Sequence, residues 1–253
     1  MQVVGFVSFI DLQREQWSRP PVDSIGYVPV ADLLAMSDRE LRKTAAEASA
    51  ARYGTWRNTG NLWVDVLGLA TTSGKDVLDY GCGFGAEALE YAKTGNRVTV
   101  ADIVADNVEV TSRLFAAHGY TAGRALIGDR PPLTDLPAAS FDVVHCSGVL
   151  HHIPWARETM EHFAELLRPG GEARLMLYSD VGWRLATGTE PPDEVTEDPN
   201  FDTFVHYFDS VGIYADWYDQ ARIEARFGDL FTITRFSYLT ANRRYLAAVL
   251  RVR

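Results

Sequence analysis

The stretch VLDYGCGFG at residues 77–85 constrains the fold of this chain more than any other. An apolar run of strand length ends there in an aspartate and a tyrosine, and three closely spaced glycines follow: Gly81, Gly83 and Gly85. Glycine has no Cβ, so such a turn can bend sharply and offer bare backbone N–H groups to a ligand. In an open α/β sheet, ligands bind in the crevice at the carboxyl ends of the strands. The stretch therefore predicts a strand–turn–helix unit with a binding site at the turn.

Strand and helix patterns alternate through the rest of the chain. Strands are predicted in KDVLDYG, NRVTVADI, RALIGD, FDVVHCSGVLHHI and EARLMLYSD, and helices in AEALEYAKTG, NVEVTSRLFAAHG and TMEHFAELLRPGG. The final stretch FTITRFSYLTANRRYLAAVLRVR predicts two more strands joined by a turn at residues 241–242. This rhythm predicts an α/β fold in which helices cover both faces of a largely parallel sheet.

The residues before the first of these strands form a region of their own. Residues 1–30 contain three prolines and are predicted to be irregular, with an apolar start that acts as a strand or docking segment. From residue 30 the spacing of apolar residues is helical, and Ser37 with Glu40 makes a capping box. Residues 1–74 are therefore predicted to form a helical N-terminal extension, or lid.

A second region interrupts the alternation after the fifth strand. Residues 187–202 are acidic and contain proline, which is typical of an insertion and not of a core element. We expect a core at residues 75–253 that carries a cap insertion at about residues 181–225.

Composition and charge exclude several classes of protein. The formal net charge is −10 and the pI about 5.1, so a general nucleic-acid binder is disfavoured. No apolar run reaches the roughly 18–20 residues of a membrane helix, and the start lacks the basic leader of a signal peptide. Cys82 and Cys146 form no CxxC pair, and carboxylates do not cluster, so neither a metal site nor a disulfide framework is predicted. A cytoplasmic protein with reduced thiols is expected.

Asp102 ends the second strand of the alternating region, about 20 residues after the first glycine, a spacing that suits a carboxylate bonded to ribose hydroxyls. The sequence therefore predicts a nucleoside-containing cofactor. The pattern Gly81-x-Gly83-x-x-Ala86 also fits the dinucleotide fingerprint, so the glycines alone leave a nicotinamide-dependent oxidoreductase open. Asp79, just before the first glycine, is placed to reach a positively charged or polar part of the cofactor.

Together, DYGCGFG, Asp102, the GD at 128–129, SFDVVHCSGVLHHI and LLRPGG resemble the successive motifs of class I S-adenosylmethionine-dependent methyltransferases. The resemblance covers about residues 75–180. It implies a Rossmann-like, doubly wound sheet of seven strands whose last strand is antiparallel. It also implies S-adenosyl-L-methionine as the cofactor.

The resemblance further implies roles for individual residues at the cofactor. Asp102 would hold the ribose hydroxyls, Ile103 would pack on the adenine, and Asp129 would accept from the adenine amino group. The remaining implied contacts to the cofactor come from Asp79, Tyr80, Gly81, Cys82, Gly83, Cys146 and Ser147. Arg57, in the predicted lid, is a candidate to grip the cofactor carboxylate, with a plain surface arginine as the alternative.

The catalytic candidates follow from how a methyl group moves. Transfer from a sulfonium is an in-line displacement that depends on alignment and on exclusion of water. A hydroxyl acceptor also benefits from a general base. His151 and His152 follow the fourth strand at the mouth of the site, and His151 is favoured as the base. Either ring could instead brace the loop. Asp180, after the fifth strand, could orient that histidine or bind a substrate hydroxyl.

These observations predict methyl transfer to a hydroxyl of a small molecule, such as a sugar or a natural-product intermediate. An aromatic cluster after the acidic insert suits a ring-bearing or sugar substrate, and simple packing of the lid is the alternative. The acidic insert also leaves N-methylation of an amine or amino-sugar open. A nicotinamide-dependent oxidoreductase and a non-catalytic cofactor-binding protein stay open as well. The oligomeric state is not determined by the sequence, and a homodimer is allowed.

Overall fold

The computed structural model describes residues 8–52, 62–128, 133–208 and 212–253. The helices in chain order are α1 (Phe9–Trp17), α2 (Val30–Ala35), α3 (Asp38–Arg52), α4 (Leu62–Leu67), α5 (Ala86–Lys93), α6 (Ala105–Ala117), α7 (Ala156–Leu166), α8 (Asp180–Thr187), α9 (Phe201–Phe208) and α10 (Gln220–Phe227). The strands are β1 (Pro21–Val22), β2 (Gly26–Tyr27), β3 (Asp76–Tyr80), β4 (Arg97–Asp102), β5 (Gly123–Leu126), β6 (Phe141–Ser147), β7 (Leu167–Tyr178), β8 (Phe231–Leu239) and β9 (Tyr245–Val252). Single 3-10 turns lie at Leu150–His152 and Val195–Glu197.

Seven of the strands form one sheet in the order β5-β4-β3-β6-β7-β9-β8. The pairs β3–β4, β3–β6, β4–β5 and β6–β7 are parallel. Strand β9 runs antiparallel to both of its neighbours. This confirms the predicted seven-stranded, Rossmann-like α/β sheet with an antiparallel last strand. The chain winds outward in both directions from β3, so the crevice of the fold opens at the carboxyl end of that strand.

The sheet is buried on both faces, as the alternation of side chains along β3 shows. Val77 packs into a core cluster with residues of the helices α2 to α6, including Leu33 and Leu114. The next residue, Leu78, points to the opposite face and joins a cluster with α7 and α10, including Phe163 and Phe227. Successive strand residues point to opposite faces, so a short apolar run supplies two cores at once.

The N-terminal region is more ordered than its sequence indicates. Residues 9–17, expected to be irregular, form α1, and β1 and β2 make a small hairpin after it. The helical stretch that follows is split because Met36 is extended. At the start of α3, Ser37 N–H donates to Glu40 Oε2 at 2.8 Å and Glu40 N–H donates to Ser37 Oγ at 3.4 Å, which confirms the capping box.

The segment between β7 and β8 carries its own small cluster of apolar side chains. Trp183 of α8, Phe204 of α9 and Trp217 pack together against Tyr178 at the end of β7. The segment returns to the sheet through a bridge between Ser179 and Tyr218. Among the helices described in the structure, none has the length and apolar character needed to cross a membrane.

Candidate active site

A cavity of about 380 Å³ opens at the carboxyl ends of β3, β4 and β6. Its floor is the glycine turn between β3 and α5, and its walls include Asp102 and Ser147 at the ends of the neighbouring strands. Helix α1 and the β1–β2 hairpin contribute Gln13, Trp17 and Tyr27 on the other side. The strongest pattern in the sequence therefore lies at this cavity.

The glycine turn requires glycine for both conformation and space. Gly81 and Gly85 have φ values of 83° and 80°, in the left-handed region that side chains rarely adopt. A Cβ atom on Gly81 would clash with the side chain of Val149, and one on Gly85 would clash with Thr111. The N–H groups of Gly81 and Cys82 both donate to the carbonyl of Ala101, at 2.8 and 3.0 Å, and this ties the turn to β4.

Asp102 is buried beside this turn, with its carboxylate facing backbone N–H groups. Its Oδ2 accepts from Gly83 N–H and its Oδ1 accepts from Val104 N–H, both at 2.9 Å. Burial raises the pKa of this carboxyl group, and the hydrogen bonds from Val104, Gly83 and Asn107 oppose that rise. The carboxylate therefore supports the turn in addition to facing the cavity.

Asn107, on the first turn of α6, is almost fully buried next to Asp102. Its Nδ2 donates to Asp102 Oδ1 at 3.2 Å and to the carbonyl of Trp17 at 3.0 Å. Its Oδ1 has no hydrogen-bond partner among the residues that the structure describes. Sequence reasoning missed this residue because an asparagine in a helix carries no motif.

His151 is fully buried at the far end of the cavity, stacked on Tyr178 with ring centroids 3.7 Å apart. The backbone N–H of Tyr178 donates to His151 Nδ1 at 3.3 Å, and Nε2 has no partner within the described chain. Burial, and secondarily the neighbouring His152, hold the pKa of His151 well below its usual value. A neutral ring that accepts at Nδ1 carries its proton on Nε2, so His151 presents a donor to the cavity.

His152 has the opposite arrangement. Its Nδ1 lies 2.7 Å from the carbonyl oxygen of Tyr214, and a carbonyl can only accept, so Nδ1 carries the proton. The lone pair of a neutral ring is then on Nε2. His152 also lines the cavity, and the ring of Trp17 lies 4.8 Å from its own. The two adjacent rings thus differ in tautomer, and only His152 has the tautomer of a base that is oriented through its other nitrogen.

Residues 214–218 hydrogen-bond to both histidines. Besides the bond from His152 to the Tyr214 carbonyl, Asp216 N–H donates to the His151 carbonyl at 2.8 Å. The buried Asp216 carboxylate is fixed in turn by Arg222 at 3.0 Å and Arg226 at 2.6 Å, both on α10. The two arginines of α10 therefore fix Asp216, and Asp216 lies in the segment that supports the histidine pair.

The comparisons with known proteins agree with this geometry. Residues 78–173 match a family described as a methyltransferase domain. This region is therefore a methyltransferase domain, and its sheet has the topology that the resemblance to class I S-adenosylmethionine-dependent methyltransferases implies. The sheet also resembles a SAM-dependent methyltransferase from Aquifex aeolicus, with a TM-score of 0.56 at 12% identity over 86% of this chain and 100% of that one. An S-adenosylmethionine-dependent methyltransferase from Mesorhizobium loti gives 0.55 at 19% identity over 76% and 98%. These two likenesses concern the fold.

A curated relative of the domain is the ubiquinone biosynthesis O-methyltransferase of Paracidovorax citrulli, 35% identical over 142 residues. That match covers 51% of this chain and 57% of the relative. The chain therefore spans little more than half the length of this relative, and the aligned part leaves much of both proteins uncompared.

The residues around the turn fit S-adenosyl-L-methionine, the cofactor that the sequence motifs imply. The unpartnered, buried Oδ1 of Asn107 is an acceptor for a hydroxyl, and Asp102 next to it accepts only. Most of the residues implied by the resemblance line the cavity: Asp79, Tyr80, Gly81, Cys82, Gly83, Ile103 and Ser147. The contact implied for Cys146 is through its backbone, next to Ser147 at the end of β6, and its side chain is fully buried in the core. Asp129 and Arg57 lie outside the described residues.

Asp180 differs from its prediction. Its carboxylate accepts from Arg184 at 2.5 Å and from the Tyr238 hydroxyl at 2.8 Å, and it does not line the cavity described here. The physical reason is local: β7 ends at Tyr178, and Asp180 begins α8, where Arg184 lies one turn further along the same face. The Asp180 carboxylate therefore serves the start of α8, and these two bonds direct it to Arg184 and Tyr238, away from either histidine.

The aromatic cluster predicted after the acidic insert does not line the cavity, although the Tyr214 carbonyl contacts His152; its members are His206, Tyr207, Tyr214, Trp217 and Tyr218. Trp217 and Tyr218 are buried in the core and do not line the cavity, and His206 and Tyr207 are exposed. The aromatic rings that do line it come from several elements and were not recognised as a group in the sequence: Phe9, Trp17, Tyr27, Tyr80, Phe84, Trp155, Tyr178, Phe208 and Tyr245. They become neighbours only through the fold.

Proposed function

We propose that this methyltransferase domain transfers the methyl group of S-adenosyl-L-methionine to a hydroxyl oxygen of a small molecule. One observation carries the proposal: the cavity that begins at the glycine turn and Asp102 continues to the His151–His152 pair. A cofactor cradle and a candidate base therefore share one continuous cavity. The name of the curated relatives, ubiquinone biosynthesis O-methyltransferase, supports oxygen as the acceptor atom.

His152 is the proposed general base. Its proton on Nδ1 is held by the Tyr214 carbonyl, which orients the ring and leaves the lone pair of the neutral form on Nε2 to take the hydroxyl proton. The sequence favoured His151 for this role. However, the lone pair of His151 is engaged by the Tyr178 N–H, so we give His151 the role of a hydrogen-bond donor to the acceptor molecule through Nε2.

The remaining catalytic contribution of the protein is alignment and exclusion of water. When bound, S-adenosylmethionine supplies a methyl group already activated by its sulfonium. The N-terminal helix α1 covers the site: Gln13 Nε2 donates to the His152 carbonyl at 3.4 Å, and Trp17 lies against the His152 ring. A site that excludes water and aligns the hydroxyl with the methyl group favours a displacement in which charge is dispersed.

The aromatic rings of the wall indicate the shape of the acceptor. Tyr178 and Phe208 are stacked with centroids 3.9 Å apart, and Tyr245 lies 5.5 Å from Phe208. Such surfaces suit a flat or ring-bearing molecule, and we propose a natural-product intermediate of this kind before a sugar. We also propose that residues 1–74 act as the lid and residues 181–225 as the cap, in a cytoplasmic protein without nucleic-acid or membrane partners.

The test is transfer of label from methyl-labelled S-adenosylmethionine to a panel of phenols, alicyclic alcohols, sugars and ring-bearing amines. The proposal expects labelled ethers from hydroxylated ring compounds. It also expects the His152→Gln variant to lose transfer to phenols and alcohols. Transfer to amines alone would replace the proposal by N-methylation. Failure to transfer to any compound, with cofactor bound, would favour a non-catalytic cofactor-binding protein.

A further inference from the structure

Asn107, on α6, hydrogen-bonds both to the end of β4 and to the end of α1. Its side chain is 1% exposed and is located where α6 leaves the end of β4. One N–H of its amide goes to Asp102, on the cofactor side, and the other goes to the Trp17 carbonyl, at the end of α1. Both N–H groups of this amide are therefore hydrogen-bonded, one to the core of the domain and one to the helix that covers the site.

The acceptor of the same amide is left over. Asn107 Oδ1 is buried and has no hydrogen-bond partner in the described parts of the chain, and Asn107 lines the cavity. Burying an acceptor without a partner is unfavourable, and most such atoms in folded proteins are satisfied by protein, water or ligand. The amide orientation is fixed, because only its nitrogen can donate to the Trp17 carbonyl.

The position of this acceptor defines the ligand group that would satisfy it. Asp102 Oδ1 and Asn107 Nδ2 are 3.2 Å apart, so the carboxylate and the Asn107 amide lie side by side. Neither Asp102 nor Asn107 Oδ1 can donate. Asn107 Oδ1 therefore requires a donor, the adjacent carboxylate can accept a further one, and a vicinal diol such as that of ribose offers both.

We propose that Asn107 binds one ribose hydroxyl of the cofactor through Oδ1 and thereby couples cofactor binding to the seating of α1. The inference rests on the proposed cofactor site. A hydroxyl bound at Oδ1 adds a third hydrogen bond to the amide in the orientation that already offers Nδ2 to the Trp17 carbonyl, so the ligand and the helix stabilise the same orientation. The helix that supplies Gln13 and Trp17 to the His152 side of the cavity is then held closed by the same residue that holds the ribose.

The first experiment is a calorimetric comparison of S-adenosylhomocysteine with its 2′-deoxy and 3′-deoxy analogues. In the natural chain, at least one deoxy analogue should bind about threefold to tenfold more weakly, the range for one neutral hydrogen bond. In Asn107→Ala that discrimination should fall to about one for the hydroxyl concerned. Ser112→Ala is the matched control on the same helix, because the Ser112 hydroxyl donates to the Val108 carbonyl at 2.7 Å and does not line the cavity.

A second readout follows the covering helix by hydrogen exchange. Adding S-adenosylhomocysteine to the full chain should slow exchange of the amides of residues 9–17 in the natural protein and in Ser112→Ala, but not in Asn107→Ala. Should Asn107→Ala fold poorly, Asn107→Leu, which has nearly the same shape, gives both readouts.

The outcomes separate this inference from the proposed function. If the natural chain does not bind S-adenosylhomocysteine, the cofactor site itself is refuted and this inference falls with it. If the natural chain binds it, but the Asn107 variants keep the full discrimination between the three ligands, the ribose contact is refuted alone. Ligand-dependent protection of α1 in the Asn107 variants equal to that of the natural chain would refute the coupling.

Discussion

Two adjacent histidines of the same sequence become chemically different because of the backbone groups that face them. The Tyr178 N–H can only donate, so it fixes the proton of His151 on Nε2. The Tyr214 carbonyl can only accept, so it fixes the proton of His152 on Nδ1. At the residue scale, two main-chain groups from different parts of the chain thus determine that His151 is a donor and that His152 can act as a base.

The first prediction concerns these two side chains in catalysis. His152→Gln should lower kcat by about 10²–10⁴-fold, the usual contribution of a general base, while the Kd for S-adenosylhomocysteine stays unchanged. His151→Gln keeps an N–H donor and should lower kcat by less, about tenfold. Steady-state kinetics with a hydroxylated acceptor and calorimetry measure the two effects. A larger loss in His151→Gln than in His152→Gln would reverse the assignment.

The second prediction concerns stability against pH. The folded state keeps His151 neutral because burial lowers its pKa, whereas in the unfolded chain the pKa returns to about 6.5. Below that pH the unfolded state binds more protons, so the free energy of unfolding falls as the pH falls towards the folded pKa.

In His151→Gln the slope of stability against pH between 6 and 5 should be less steep by up to about 1.4 kcal/mol per pH unit. Urea unfolding across this range measures it. His206→Gln, a change at an exposed histidine, should keep the natural slope. An unchanged slope in His151→Gln would show that this ring is not the neutral buried group described here.

At the element scale, the turn between β3 and α5 is fitted against the end of β6. The left-handed conformation of Gly81 brings its Cα against Val149, in the residues that follow β6, while two N–H groups of the turn bind the Ala101 carbonyl near the end of β4. Three parallel strands are therefore joined at the point where the cavity begins.

The third prediction separates conformation from contact at this turn. Gly81→Ala should destabilise the protein by about 1–2 kcal/mol for a left-handed alanine and by about 1–3 kcal/mol more for the clash with Val149. Gly95→Ala is the matched control: its φ is also 83°, but a Cβ there meets nothing within 4 Å, so only the first effect remains. In a Val149→Ala background the excess of Gly81→Ala over Gly95→Ala should vanish in denaturant unfolding. An excess that persists would mean that the contact is not its cause.

The fourth prediction concerns α10 as the support of the histidine pair. Arg226→Met should lower kcat without changing cofactor affinity, because Asp216 loses one anchor and the segment that carries the Tyr214 carbonyl becomes less fixed. The loss of stability should be about 1–2 kcal/mol, less than the roughly 3–5 kcal/mol of a fully buried pair, since Asp216 keeps Arg222. Arg124→Met, which removes a surface ion pair with Glu109, should leave kcat unchanged. Equal kcat values for the two variants would refute this role of α10.

At the scale of the whole molecule, the sequence predicts what local patterns encode. The apolar alternation of β3, the glycines of the turn and Asp102 at the end of β4 are local signals, and together they placed the cavity and the sheet correctly. Sequence reasoning could not foresee α1, whose Gln13 and Gln16 are buried and whose Gln13 lines the cavity. The spacing of apolar residues cannot indicate that a polar residue will be buried.

The details of the site depend on contacts between distant parts of the chain. The tautomer of His152 is set by Tyr214, 62 residues further along the sequence, and no motif records that contact. Asp180 was expected to orient a histidine or to bind a substrate hydroxyl, and its carboxylate instead accepts from Arg184 and Tyr238. Resemblance locates a cofactor site, whereas hydrogen-bond direction decides which side chain can act as the base.

The most direct test of the whole account is a calorimetric titration of the full chain with S-adenosylhomocysteine and, separately, with NADH. The account predicts one site for S-adenosylhomocysteine per chain, no binding of NADH, and at least tenfold weaker binding of S-adenosylhomocysteine in Asp102→Ala, a loss of about 1.4 kcal/mol or more. Binding of NADH without S-adenosylhomocysteine, or an Asp102→Ala variant that binds S-adenosylhomocysteine as tightly as the natural chain, would contradict it.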